Sequence, residues 1–391
     1  PGVVESELAD SITDPVAAKA MQDFRRIALQ PEAIAAAIAQ AGIGAELVDE
    51  VIMGCVLPAN LGQAPARQAA LAAGLPLSTG ATTINKVCGS GMKAIMFGAD
   101  LIRAGSAQVV IAGGMESMSN APHMIPNSRT GNRYGNFQTV DHMAFDGLTN
   151  AYDGQPMGVF GEACVDKYGF TREQQDDFAI ESVKRAQAAV ANGAFADEIA
   201  AVTVSSRKGE VIHATDEQPG KSDIGKIPTL RAAFKKDGTI TAASSSSISD
   251  GAAAVVLMGA ETAAANGIAA LARVVAQATH SHEPEWFTTA PIGAIEKVLA
   301  KAGWNVADVD LFEINEAFAV VAMAPIRELG IDHAKVNVNG GACALGHPIG
   351  ASGARLVVTL VNALRSRGLR RGVASLCIGG GEATAIAIEL I

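Results

Sequence analysis

Aromatic residues make up only 4% of this chain, and no apolar run approaches the roughly 18 residues a membrane-spanning helix needs. No membrane association is therefore expected. No secretory leader pattern opens the sequence. Five cysteines, none in a C-x-x-C pair, suit neither a disulfide framework nor a structural zinc site. Free thiols in a reducing compartment, the cytoplasm, are the plain expectation. A formal net charge of −10 leaves no electrostatic basis for non-specific nucleic-acid binding. What the chain has instead is glycine, 41 residues of 391, within a composition that is 49% hydrophobic. Small apolar residues in this proportion fit helices lying close on sheets, and the length suits two or three domain-sized units.

A diverged duplication runs through the chain. Val48-Asp49-Glu50-Val51-Ile52-Met53-Gly54 parallels Val309-Asp310-Leu311-Phe312-Glu313-Ile314-Asn315, an offset of 261 from Asp49 to Asp310. Cys88-Gly89-Ser90-Gly91-Met92-Lys93-Ala94 parallels Gly350-Ala351-Ser352-Gly353-Ala354-Arg355-Leu356, an offset of 262. In both copies a helical pattern follows, then an apolar strand and a glycine cluster. The spacing predicts helices over 31–42 and 293–303, ending at Gly42 and Gly303, and buried strands over 109–112 and 373–378.

Residues 118–240 interrupt this pattern with Asn, Gly, Pro and charge, and with helical periodicity near 171–192. The expected organisation is a first half of residues 1–117 and 241–262, an inserted loop domain at 118–240, and a second half at 263–391. Inside the insertion, residues 205–236 hold seven basic side chains (Arg207, Lys208, Lys221, Lys226, Arg231, Lys235 and Lys236) against four acidic ones, a local +3 that leaves −13 elsewhere. Such an island is either a solvated surface or a landing place for an anion.

Cys88 stands where a strand-like run meets a helix start. Unpaired N–H groups and the helix dipole there favour a thiolate nucleophile; the bland alternative is a buried structural cysteine. His347 precedes the matching helix start of the second copy. If a pseudo-twofold relates the halves, both helix starts meet at one cleft, and a neutral imidazole there can take the thiol proton. Cys377 ends a buried strand and runs into Gly379-Gly380-Gly381, which lacks nucleotide-binding spacing and reads better as a thiol beside exposed N–H groups. Asn315 follows a strand and offers an amide to a water or an oxyanion. Cys55, Cys164 and Cys343 read as packing residues.

Taken in order, these segments resemble the thiolase family, closest to its biosynthetic type. The resemblance rests on Val87-Cys88-Gly89-Ser90-Gly91-Met92-Lys93-Ala94, Gly113-Gly114-Met115-Glu116-Ser117-Met118-Ser119 and Asn315-Glu316-Ala317-Phe318-Ala319. It rests also on Gly340-Gly341-Ala342 with Gly346-His347-Pro348-Ile349-Gly350, and on Cys377-Ile378-Gly379-Gly380-Gly381. It implies an α/β fold of two βαβαβαββ halves in a five-layer αβαβα core with an inserted loop domain. It also implies Claisen condensation of two acetyl-CoA to acetoacetyl-CoA and CoA, and the reverse thiolysis. In those roles Cys88 is acylated, His347 takes its proton and Cys377 deprotonates the second acetyl group. His347 with a water on Asn315, and the N–H groups of Cys88 and Gly379, form two oxyanion holes. CoA contacts map to Leu148, Met157, Phe234, Ser246, Ala317 and Phe318, with Lys221 and Lys226 toward its phosphates. No cofactor or metal is implied; the CoA thioesters are substrates. A homotetramer is implied, with Arg129 and Arg133 in residues 120–135 resembling the family's tetramer loop.

Four departures accompany the likeness. Ser244 stands where Asn is common, Pro156 replaces a His, and Phe287 lies where a Met is frequent, narrowing the acyl end. The N-terminus lacks the family's apolar strand and Arg-Thr-Pro. If the first strand of each half lies centrally, residues 1–30 are expected to supply a short or irregular one near Val3-Val4, since Pro15 rules out a regular strand through Ile12–Val16. Two other readings stay open: a degradative 3-ketoacyl-CoA thiolase of β-oxidation, and a non-catalytic CoA- or acyl-binding protein on the same fold. A ketoacyl synthase is disfavoured by the Asn315–Phe318 and Cys377–Gly381 segments.

Overall fold

The structure, a computed structural model, describes residues 30–206 and 209–391. In chain order the first half runs α1 (Glu32–Ala41), β1 (Glu50–Gly54), α2 (Pro65–Ala72), β2 (Gly80–Ile84), α3 (Ser90–Arg103) and β3 (Val109–Ser117). The intervening block holds β4 (His123–Met124), β5 (Val140–Asp141), α4 (Met157–Tyr168), α5 (Arg172–Ala191), β6 (Val202–Ser206) and β7 (Gly209–His213). Next come β8 (Asp250–Met258), α6 (Ala260–Ala265), β9 (Ala272–Ser281), α7 (Ala290–Ala302), β10 (Leu311–Ile314), α8 (Ala319–Leu329) and α9 (Ala342–Leu345). The chain finishes with α10 (Ser352–Arg367), β11 (Arg371–Ile378) and β12 (Glu382–Leu390).

The duplication is visible element by element. β1 and β10 begin 261 residues apart, and α3 and α10 begin 262 apart. α1 and α7 stop alike, on Gly42 (φ 67°) and Gly303 (φ 69°), each in the left-handed conformation that glycine adopts without steric cost. The first sheet has the order β2-β1-β3-β8 and the second β10-β11-β12-β9. In each, parallel pairs (β1 with β2 and β3, β10 with β11) give way to an antiparallel return strand, β8 or β12. The second-half counterpart of β2 is reduced to a single parallel bridge, Phe312 with Val336.

Apolar side chains organise these elements into five layers. α1 and α2 cover the outer face of the first sheet through Ile34, Ala66, Ala69, Val51 and Ile111. α3 and α10 lie between the sheets, where Met92, Ile95, Leu356 and Leu360 meet Ile52, Val110, Leu376 and Ile386. α7 and α8 close the far side with Ile295, Val298 and Ala322 on Phe312 and Ala385. The layering is αβαβα.

The central pair decides where the chemistry sits. A Cβ on Gly91 of α3 would lie 2.9 Å from the Ala354 nitrogen, and one on Gly353 of α10 would lie 2.4 Å from the Met92 nitrogen. The two helix starts therefore cross backbone to backbone, reciprocally, as the pseudo-twofold requires. Only glycine fits at either position.

The position of the first strand of a half is a correction. β9 pairs with β12 alone among the described residues, so it is an edge strand rather than a central one. The reason is the antiparallel return: β12 doubles back beside β11, and the first strand then joins outside it. In the first half, β8 has β3 as its one sheet neighbour among the described residues, and its other edge lines a cavity of about 790 Å³. The expected irregular strand near Val3-Val4 falls in residues 1–29, outside the described residues. The helix expected near 171–192 is α5, opened by a capping box in which Thr171 and Gln174 exchange hydrogen bonds. Where the first half resumes, Ile240 is buried against α4, and Thr241 forms one bridge, with Ala232.

Candidate active site

Cys88 lies in a tight turn between β2 and α3. The residue before it, Val87, has φ 46°, a conformation a β-branched residue adopts only under strain. Hydrogen bonds hold it there. Asn85 Oδ1 accepts from the Val87 N–H at 2.8 Å, and Ser90 Oγ accepts from Lys86 N at 2.8 Å while donating to Val87 O at 2.7 Å. This turn places the half-buried Cys88 side chain against the second half. A Cβ on Gly89 would lie 2.3 Å from Ile378 Cδ1, and Lys86 pairs with Glu382, so the 85–89 and 378–382 segments are locked together.

Burial pushes the Cys88 thiol up to about 11. The N–H groups of Gly379 and of Cys88 itself act against burial, stabilising negative charge at the sulfur. The helix-start argument for a resting thiolate is corrected here, because desolvation outweighs the N–H donors. What survives is the setting: the backbone of Gly379 and of Cys88 itself favours negative charge on one reactive atom. Cys377, at the end of β11, is fully buried, and burial first and Cys88 second raise its thiol well above the ordinary value. The two sulfurs are therefore close enough to sense one another's charge.

His347 is buried in the turn ahead of α10. Its Nδ1 is 2.6 Å from Ser352 Oγ, and that hydroxyl donates to Pro348 O at 2.8 Å. With its own proton committed, Ser352 accepts, so Nδ1 carries the imidazole proton and Nε2 is a bare acceptor. Burial, with Arg355 adding to it, lowers the basicity of His347 to about 3, so the resting ring is neutral. Asn315 Nδ2 lies 3.4 Å from Nε2, while Asn315 Oδ1, also buried, has no protein partner among the described residues. Behind Asn315, Asn337 bonds both the N–H and the carbonyl of Ile314 at 2.8 Å, and Glu316 accepts from Asn337, Ser182 and the Cys343 N–H. Sequence reasoning assigned no role to this supporting group, nor to Ser352.

The expected CoA contacts divide into three. Met157, Ala317 and Phe318 share one apolar cluster with Cys377 and Phe287, and Phe234 meets Phe318 edge to face at 5.6 Å. Ser246 joins them by donating its N–H to Ala317 O at 3.0 Å. Leu148 packs on the opposite wall with Cys88, Val56, Leu57 and Ile349. Lys221 and Lys226 stand apart. Both are exposed, and each is paired with its own carboxylate, Glu217 at 2.7 Å and Asp223 at 3.3 Å. Gly379 has room: an added Cβ would meet Met157 Cε and Val87 Cγ1 at 3.7 Å. Among the described residues no cluster of His, Cys, Asp and Glu has metal-binding geometry, and no helix is long and apolar enough to cross a membrane. All five cysteines are free; Cys55 and Cys164 are buried and Cys343 is half-buried.

Two duplicated sheets, two glycine-locked helix starts, and two thiols and a histidine between them define a class. The profile described as "Thiolase, N-terminal domain" matches residues 11–261, and "Thiolase, C-terminal domain" matches residues 268–390. The chain belongs to the thiolase family. Among named relatives, a probable acetyl-CoA acetyltransferase of Dictyostelium discoideum is 52% identical over 354 residues, covering 90% of this chain and 86% of that protein. Acetyl-CoA acetyltransferase 2 of Arabidopsis thaliana is 51% identical over 362 residues, covering 92% and 90%. Among solved structures, the Acat5 thiolase of Ascaris suum in complex with coenzyme A superposes with TM-score 0.88 at 45% identity, covering 93% of this chain and 94% of that one. The Bacillus anthracis acetyl-CoA acetyltransferase gives TM-score 0.90 at 39% identity, covering 93% of each chain.

Proposed function

We propose that this chain is an acetyl-CoA C-acetyltransferase, joining two acetyl-CoA into acetoacetyl-CoA and CoA by a ping-pong Claisen condensation and running thiolysis in reverse. The carrying observation is the junction at which Cys88, ahead of the glycine-locked start of α3, packs with Ile349 of the His347 turn and the 85–89 segment locks onto the 378–382 segment that follows the second thiol, Cys377. A stable thiolate–imidazolium pair is uphill, because the thiol is a weak acid here and the imidazole a weak base. The Cys88 proton therefore moves to His347 Nε2 as the sulfur attacks the thioester carbonyl. Cys377 gives its proton to the departing CoA sulfur. That Cys377 thiolate then takes the proton from the His347 imidazolium, so both groups are neutral while CoA is exchanged.

In the second half-reaction Cys377 passes its thiol proton to His347 as its sulfur removes a methyl proton from the incoming acetyl-CoA. The enolate carbon attacks the acetyl-enzyme, and His347 returns the proton to the Cys88 sulfur. All protons are then back where they began. The Cys88 and Gly379 N–H groups suit the oxyanion at the acetyl-enzyme, and Asn315 with His347 suits the enolate oxygen. Leu148, Met157, Phe234, Ser246, Ala317 and Phe318 would line the pantetheine and acyl path. Lys221 and Lys226 would exchange Glu217 and Asp223 for CoA phosphates. No metal or redox group enters any step.

Phe287, buried beside Cys377 and 6.5 Å from Phe160, supports a short acyl end over the long-chain degradative reading. The test compares thiolysis of acetoacetyl-CoA with that of a C10 3-ketoacyl-CoA; faster cleavage of the longer substrate would reject the short-chain assignment. A tetramer is part of the same proposal. It is supported by the exposed Ile125, Tyr134 and Phe137 around Arg129 and Arg133, and light scattering reads it directly.

Ser352→Ala is expected to lower kcat about 10-fold with little change in KM. It leaves the buried His347 Nδ1–H without a partner, a loss of about 1–3 kcal/mol, and frees the ring to take the wrong tautomer. Nitrogen NMR shifts of the His347 ring check the cause. An unchanged tautomer with unchanged kcat would show that Ser352 only packs.

A further inference from the structure

Glu116 is an acidic residue at the end of an otherwise apolar strand, β3, and it is 1% exposed. Its carboxylate spans the two halves. Oε2 accepts from Val56 N at 3.0 Å and from Gly350 N at 2.9 Å, and Oε1 accepts from Leu57 N at 3.0 Å. Cys55 Sγ lies 3.9 Å from Oε1. Gly350 ends the His347-Pro348-Ile349 turn. Val56 and Leu57 belong to the apolar wall that Cys88 and Ile349 share. The approach is so close that a Cβ on Gly350 would lie 2.7 Å from Oε2. One carboxylate thus fastens the turn carrying the proposed base to the wall carrying the proposed nucleophile. Among the described residues no other side-chain hydrogen bond joins the two segments.

We propose that Glu116 is a positioning residue that sets the relation of His347 to Cys88 by clasping the Gly350 and Val56–Leu57 backbones with one ionised side chain. The proposal deepens the acetyl-transfer reading and rests on it. The clasp uses three acceptor positions on two oxygens; a carboxylate offers all of them, a protonated acid gives one up to its O–H donor, and an amide puts an NH2 donor in place of one oxygen. A protonated oxygen turns one acceptor into a donor facing an N–H. Burial raises the Glu116 carboxyl to about 7 even though the three N–H donors act against it. Neutral pH therefore lies on its titration. The titratable groups facing Glu116 are Cys55 on its own side of the clasp and Cys88 beyond it, both with thiols raised by burial. His347, at about 3, and Cys88, at about 11, titrate away from this window.

The test is the single-turnover rate of Cys88 acetylation at saturating acetyl-CoA, followed by mass spectrometry from pH 5.5 to 8.5. In the wild type the rate is expected to rise through an apparent pKa near 7, as Glu116 ionises and the clasp closes. Glu116→Gln is expected to acetylate about 10- to 100-fold more slowly, to keep KM for acetyl-CoA within about twofold, and to lose the pH step. A purely structural Glu116 would instead lower the labelled fraction while leaving its rate and pH profile intact, and that result overturns the proposal. If the Gln variant does not fold, the wild-type profile decides alone, and a flat profile overturns it. Absence of any label on Cys88 in the wild type would mark failure of the acetyl-transfer reading instead.

Discussion

Replacing Cys88 by Ala is expected to lower turnover on the order of 10⁴-fold or more and to abolish covalent labelling by acetyl-CoA. The side chain is small and half-buried, and the strained Val87 turn is held by Asn85 and Ser90 rather than by the thiol, so the fold should persist. What is lost is the atom on which the backbone of Cys88 and of Gly379 favours negative charge. Without it the acetyl group has no covalent station while CoA departs and a second thioester enters. Intact-protein mass spectrometry should find one acetyl group on the wild type, at Cys88, and none on the variant. Labelling of the variant at Cys377, with turnover retained, would exchange the roles of the two thiols. The protonation argument adds a second reading. Because burial holds this thiol near 11, its alkylation by a small neutral electrophile should climb steeply above pH 9, while acetyl transfer, in which the proton leaves during attack, should not.

The sequence showed most where local spacing carries long-range meaning. Gly91 and Gly353 recur 262 residues apart because two helices cross at backbone contact, and any side chain at either position would strike the other helix. That repeat sets Cys88 and His347 at matching helix starts, and in the structure Ile349, two residues past His347, packs in one cluster with Cys88. Sheet order was less legible: β9 lies at an edge because β12 returns antiparallel beside β11, and no residue within β9 records that choice. The charge count of residues 205–236 included Glu217 and Asp223 but not their pairing with Lys221 and Lys226, which neutralises both lysines within a turn. The helix-start rule singled out Cys88 as a thiolate, whereas desolvation outweighs its N–H donors, and the side chains that bury it, Val56 and Ile349 among them, lie far along the chain. Glu116 left a trace that can be read in retrospect, a lone acid closing the apolar run Val109–Met115, but its partners at 56, 57 and 350 are invisible to any local pattern.

Cys377→Ser is expected to separate the two half-reactions. Acetylation at Cys88 should stay within about 10-fold of wild type, since the nucleophile, its N–H donors and His347 are untouched and CoA can take its proton by a slower route. Condensation should fall about 10²- to 10⁴-fold, the usual range for losing a positioned general base. The physical reason lies in how the thiol is tuned. Burial raises Cys377 well above the ordinary value, and the charge of Cys88 raises it further. Burial makes its thiolate a strong base, as removal of a methyl proton demands. In the acetyl-enzyme Cys88 is a neutral thioester, so no charge on its sulfur opposes the Cys377 thiolate as it forms. Serine keeps the size but has a far weaker acid, and its alkoxide is out of reach at neutral pH. The decisive measurement is exchange of the acetyl-CoA methyl protons with heavy water, recorded beside acetylation. The wild type should exchange; the Ser variant should carry the acetyl group on Cys88 and exchange little. Exchange at the wild-type rate in the variant would move the proton transfer to another group and leave Cys377 as a packing residue at the end of β11.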